Sequence, residues 1–173
     1  GSASLILVVG LDMDDDIVVQ SWDFSVFEKN APMPWAHGWD GLPIGTVIDW
    51  KLLQRESPDY TGPALWLLGL FAKKQDFEFA DKALRLVKAG ILKGGSAGFA
   101  SRKVYKIKDP AERKKLGMVG DKGLVLDENI LLEFSPCTIP SNQGAYAQLV
   151  SAKSRGMLEA DDINLMRELH RVR

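Results

Sequence analysis

Two apolar runs rich in branched and aromatic residues, Ile44 to Leu53 and Ala64 to Ala72, flank the segment Ser57-Pro58-Asp59-Tyr60-Thr61-Gly62-Pro63. Proline removes a ladder donor and glycine admits backbone angles closed to other residues, so this segment is turn chemistry joining two strands. An antiparallel hairpin is expected, and the rest of the fold has to build on it. The period then changes. From Asp76 to Ala89, the residues Phe77, Ala80, Leu84 and Val87 fall at helical spacing, with Asp76 placed to cap the start and Gly90 to end it. Strand patterning resumes from Ser96 to Ile107, where Lys103-Val104-Tyr105-Lys106-Ile107 alternates basic and apolar residues as an outward and inward face. It resumes again from Leu124 to Ile139, after a polar loop, Lys108 to Lys122, with one helical turn at Ala111 to Leu116. Upstream, Leu5 to Val9 and Ile17 to Val19 read as β segments on either side of Asp12-Met13-Asp14-Asp15-Asp16. These patterns make an α+β chain, mainly antiparallel.

A length of 173 residues supports one domain with a real core. Residues 1–150 are expected to form it. Ser151 to Gly156 reads as a flexible joint, and Leu158 to Val172 as an amphipathic helix with Ile163, Met166, Leu169 and Val172 on one face. The net charge is -1 and no long basic run occurs, so neither nucleic acid nor an anionic membrane is the expected partner. The single cysteine, Cys137, excludes an internal disulfide and a cysteine-based zinc site, and fits a reducing compartment. The Leu5 to Val9 run lacks a basic flank and is too short for a membrane span, so it reads as a strand. The Gly1-Ser2 start reads as a cloning scar, with the native N-terminus expected to be missing. The acidic turn at Asp12 to Asp16 does not complete a calcium loop and is read as solvated; no metal or cofactor is expected.

Three residues carry candidate chemistry. Ser96 lies in Gly94-Gly95-Ser96-Ala97-Gly98, where glycines leave a hydroxyl uncrowded, and His37 lies in Pro34-Trp35-Ala36-His37, a stiff setting that leaves the ring accessible. A serine is a weak nucleophile until a base takes its proton, and His37 is the base at hand. The other histidine, His170, sits among Arg167, Arg171 and Arg173 and reads as a surface residue. Glu133 stands inside the apolar strand Asn129 to Cys137, where an acid either faces solvent or pairs with a group such as an imidazole. Each has a plain structural alternative: a tight helix-to-strand turn at Ser96, a loop histidine bonded to a carbonyl, an exposed strand position. The nucleophile elbow of α/β-hydrolases does not fit, because a helix rather than a strand precedes Ser96.

Five blocks in one order bring these residues together. Asn30-Ala31-Pro32-Met33-Pro34-Trp35-Ala36-His37, Leu42-Pro43-Ile44-Gly45, Gly90-Ile91-Leu92-Lys93, Ser96-Ala97-Gly98-Phe99, and Leu131-Leu132-Glu133-Phe134-Ser135 with Thr138-Ile139-Pro140-Ser141-Asn142 resemble the blocks of tailed-phage prohead proteases. The resemblance implies an antiparallel β-barrel flanked by helices, the fold of the herpesvirus capsid maturation proteases. It implies a serine endopeptidase with Ser96 as nucleophile, His37 as base and then acid, and Glu133 orienting the ring, where the herpesvirus enzymes use a second histidine. Glu128 is the reserve acid, because Pro136 is expected to interrupt the strand and shift its register. Oxyanion donors are expected near Ser96 or after Pro140; no paired-arginine motif follows the third residue. The implied substrates are phage scaffold and major capsid protein inside the prohead, in the bacterial host cytoplasm, with a homo-oligomer, such as a dimer, as the working form. The alternative is a catalytically silent assembly protein that keeps the fold.

Overall fold

The expected hairpin forms the middle of a four-stranded sheet. The computed structural model describes residues 2–8, 15–53 and 64–141. Its elements are β1 (Ser2–Val8), β2 (Ile17–Val18), β3 (Trp22–Asp23), β4 (Pro32–Met33), β5 (Gly45–Leu53), β6 (Ala64–Phe71), α1 (Glu78–Lys88), β7 (Gly94–Tyr105), α2 (Pro110–Lys115) and β8 (Val125–Cys137). The class is mixed α and β, mostly strand with two helices among the described residues. In the first sheet the order is β1-β6-β5-β4, every pair antiparallel. β6 lies between two neighbours and is buried along nearly all its length, which is why Ala64 to Phe71 is one continuous apolar run rather than an alternating one.

The second sheet is built on β8. β7 pairs antiparallel along one edge, and the short strands β2 and β3 pair parallel along the other. Among the described residues the ladders make two sheets rather than one closed ring. They meet where β4 runs onto β8: the Ala36 N–H donates to Pro136 O at 3.1 Å. The core lies between the two sheets and α1. Phe27, Met33, Ile44, Leu65, Leu67 and Phe71 meet Leu131 and Phe134 from β8 and the α1 face Ala80, Ala83, Leu84 and Val87. Each large aliphatic or aromatic side chain buried there contributes about 1.5–3 kcal/mol.

Several expectations are corrected. The cap of α1 is Phe77, which makes no side-chain cap bond; Asp76 instead closes a preceding turn through its backbone N–H to Lys73 O at 3.0 Å. The stop is as read, with Gly90 at φ 70° and Ile91 N–H bonding back to Leu86 O at 2.9 Å, a Schellman ending that needs the left-handed angle. β7 starts at Gly94, so Ser96 lies within a strand, not in an entry turn. The far end of β7 has no inward face: Val104 and Tyr105 are exposed, because alternation buries a face only where something packs on it. β8 continues through Pro136, which pairs with Gly95. In the acidic turn, Asp15 and Asp16 are not merely solvated. They accept backbone N–H groups from Val119, Gly120 and Leu124 at 3.2, 3.2 and 2.7 Å, pinning the loop after α2. The joint, the amphipathic tail, His170 and the remainder of the acidic turn lie outside the described residues. No helix among the described residues is long and apolar enough to cross a membrane.

Candidate active site

Strand pairing places Ser96 and Glu133 on one face of the β7–β8 ladder. Ser96 is opposite Ser135 and Gly98 is opposite Glu133, and residues directly opposite in an antiparallel pair project to the same side. A bulge separates this face from the core. The register jumps from Gly98 opposite Glu133 to Phe99 opposite Leu131, so Leu132 is the extra residue. Without it Leu131 and Glu133, two apart, would share a face; with it Leu131 and Phe134 enter the core while Glu133 turns the other way. One inserted residue thus lets an acid sit inside an apolar strand.

Glu133 is buried, at 2% exposed, and both its oxygens are engaged. Oε1 meets His37 Nδ1, and the Trp39 indole N–H reaches the same oxygen at 3.5 Å. Oε2 accepts the Ser135 hydroxyl at 2.8 Å. Its side chain crosses directly above Gly98, where an added Cβ would meet the carboxyl carbon at 2.7 Å. That explains the glycine two positions after Ser96. A paired, hydrogen-bonded acid is the form in which burial is tolerable. The alternative of an exposed strand position for Glu133 is therefore corrected. Glu128 does not serve as a reserve: it is exposed, at φ 52°, and five residues along the strand, roughly 16 Å away.

His37 reaches β8 from the end of β4. Ala36 and His37 both take left-handed backbone angles, φ 48° and 60°, a conformation that costs about 1–3 kcal/mol per residue unless the surroundings hold it. Here Ala36 N–H is bonded to Pro136 O, and His37 N–H to Ser135 Oγ at 3.0 Å. The ring is half exposed, and its pKa is raised above 6.5, first by the hydrogen bond to Glu133 and further by that group's charge, against partial burial. With Nδ1 given to the carboxylate, the neutral ring carries its lone pair on Nε2, free to accept a proton.

Ser96 is 6% exposed, and its hydroxyl makes no hydrogen bond to a described residue. Its Cβ lies about 4.5–5.5 Å from that of Ser135 by ladder geometry, and the His37 backbone is bonded to the Ser135 side chain. His37 and Glu133 are therefore in contact, and Ser96 lies on the face of the ladder that carries Glu133, with no hydrogen bond to the ring. Hydroxyl–imidazole bonds are often loose without substrate. Cys137, on the same face as Glu133 and Ser135, is a poor rival nucleophile: burial and the Glu133 charge push its thiol up to about 11, which leaves almost no thiolate at neutral pH. An open cavity of about 310 Å³ lies alongside, walled by Pro32, Pro34, Trp39, Pro43, Leu132 and Glu133. Among the described residues no three His, Cys, Asp or Glu side chains are grouped to hold a metal ion. Of the expected oxyanion donors, those after Ser141 lie outside the described residues.

Ser135, Gly98 and Trp39 were not singled out from the sequence. The first two carried a usable signal, since a period of two puts Ser135 on the Glu133 face and Gly98 on the Ser96 face; Trp39 carried none. No family model, curated protein or solved structure matches this chain.

Proposed function

We propose that this chain is a serine endopeptidase of the prohead protease kind, working through Ser96, His37 and Glu133. The observation that carries the reading is the buried Glu133 carboxylate paired with the half-exposed His37 ring, on a strand whose ladder partner presents Ser96 on the same face. In the reaction His37 Nε2 takes the Ser96 proton as Oγ attacks a peptide carbonyl, and Glu133 holds the ring and stabilises the imidazolium. The ring then protonates the leaving amine, and water, deprotonated by the same nitrogen, releases the acyl group. The order of the five sequence blocks supports phage scaffold and major capsid protein as substrates, inside the prohead in the host cytoplasm, and a homo-oligomer as the working form. On the same reading the two sheets are parts of one β-barrel of the herpesvirus protease type, meeting at the β4–β8 contact.

The silent-scaffold alternative gives no reason to retain a buried carboxylate matched to an imidazole, a costly arrangement that assembly alone does not need. Co-expression with the scaffold and major capsid proteins tests the reading. Processed fragments should form with the parent chain and disappear with Ser96→Ala; fragments that persist in that variant would exclude it.

A further inference from the structure

Ser135 has no part in the proton transfers above, yet both its hydrogen bonds go to the pair that the proposed mechanism uses, His37 and Glu133. Its Oγ accepts the His37 backbone N–H at 3.0 Å and donates to Glu133 Oε2 at 2.8 Å. It is wholly buried and lies directly across the ladder from Ser96. A hydroxyl has one proton and two lone pairs, so donation and acceptance coexist without conflict. The donated bond acts on Glu133. Because Oε1 is the oxygen that meets His37 Nδ1, fixing Oε2 fixes the rotation that aims Oε1 at the ring. The accepted bond acts on the loop. Ala36 and His37 hold left-handed angles that persist only where neighbours over-determine them, and the two amides are held by consecutive residues of β8, through Pro136 O and Ser135 Oγ.

We infer that Ser135 is a positioning residue of this site, its hydroxyl locking the Glu133 carboxylate and the left-handed His37 backbone into the single geometry in which ring and carboxylate meet beside Ser96. Its catalytic consequence rests on the protease reading; its geometric consequence does not. Side chain and backbone are set by one group, so loss of that group releases both at once. A serine serving only to fill the ladder would leave the ring's environment unchanged when replaced.

The test compares Ser135→Ala with Ser135→Thr, which keeps the hydroxyl, by proton NMR and by labelling with a fluorophosphonate probe. Ser135→Ala should fold, lose the hydrogen-bonded Nδ1–H resonance of His37, and label with a maximal rate about ten- to hundredfold lower, the effect of one lost bond to a charged group. The probe concentration for half-maximal rate should stay within about twofold, since probe binding is not what Ser135 serves. Ser135→Thr should retain the resonance and most of the rate. Ala and Thr variants that are both folded and equally impaired, or an Ala variant with the parent's resonance and rate, would overturn the inference. Amide exchange in the parent chain needs no variant: the His37 N–H should be protected, and free exchange would also overturn it. If the parent chain is not labelled at all, the protease reading fails, while the resonance and the amide exchange still decide the role of Ser135.

Discussion

Gly98→Ala should disable the site without replacing Ser96, His37 or Glu133. An added Cβ would lie 2.7 and 2.8 Å from the Glu133 carboxyl and γ carbons, while ordinary contact begins near 3.5 Å. Glu133 Oε1 would lie closer still, so Glu133 or the strand must yield by about 1 Å or more. The side chain is buried and tied at both oxygens, so it has little room to give. Overpacking of this kind costs about 1–3 kcal/mol, and for a chain of this size each kcal/mol lowers Tm by roughly 2–4 °C. Displacing a catalytic group by about 1 Å costs on the order of 100-fold in rate. Fluorophosphonate labelling followed by gel fluorescence, with Tm from differential scanning fluorimetry, reads both quantities. A variant with the parent's Tm and labelling rate would show that Glu133 does not cross over Gly98, and the placement of the acid would be wrong.

Two further outcomes follow from the titrating groups. His37 has a folded pKa raised above 6.5, so it favours the folded state fully below pH 6.5, and this contribution is lost as pH rises through the folded value. A base must be neutral, so the acid limb of the labelling rate against pH should lie above 6.5 and move down toward it in Glu133→Gln; a limb at or below 6.5 in the parent chain contradicts the pairing. Cys137, with a thiol near pKa 11, should resist iodoacetamide at pH 8 in the native state and react on unfolding, as mass spectrometry can follow; rapid native labelling would mean that it is neither buried nor beside Glu133.

The two hairpin strands and α1 were legible because apolar period acts locally, and these elements fall close to their expected bounds; the turn segment Ser57 to Pro63 lies outside the described residues. The cap was not, because Asp76 is spent on a turn whose closure onto Lys73 depends on how the chain leaves β6. The exposed end of β7 misled for a related reason: Val104 and Tyr105 have the pattern of a buried face, but alternation does not say whether anything lies beneath it. At the site, residue types pointed to Ser96, His37 and Glu133, while their arrangement depends on two features that composition does not encode. One is the bulge at Leu132, which turns Glu133 away from Leu131. The other is the pair of left-handed angles at Ala36 and His37, set by bonds to β8 from a segment about 100 positions distant in the chain. From sequence, the acid that could meet His37 was Glu133 or Glu128; that it is Glu133 shows only in the ladder.

The most direct measurement is the mass of the chain after reaction with a fluorophosphonate, with the adduct located by peptide sequencing. One adduct on Ser96, absent after denaturation before labelling and reduced strongly by His37→Ala, is the predicted result. No adduct on the native chain, or an adduct carried by another residue and unaffected by His37→Ala, would contradict the assignment of Ser96 as a nucleophile activated by the His37–Glu133 pair.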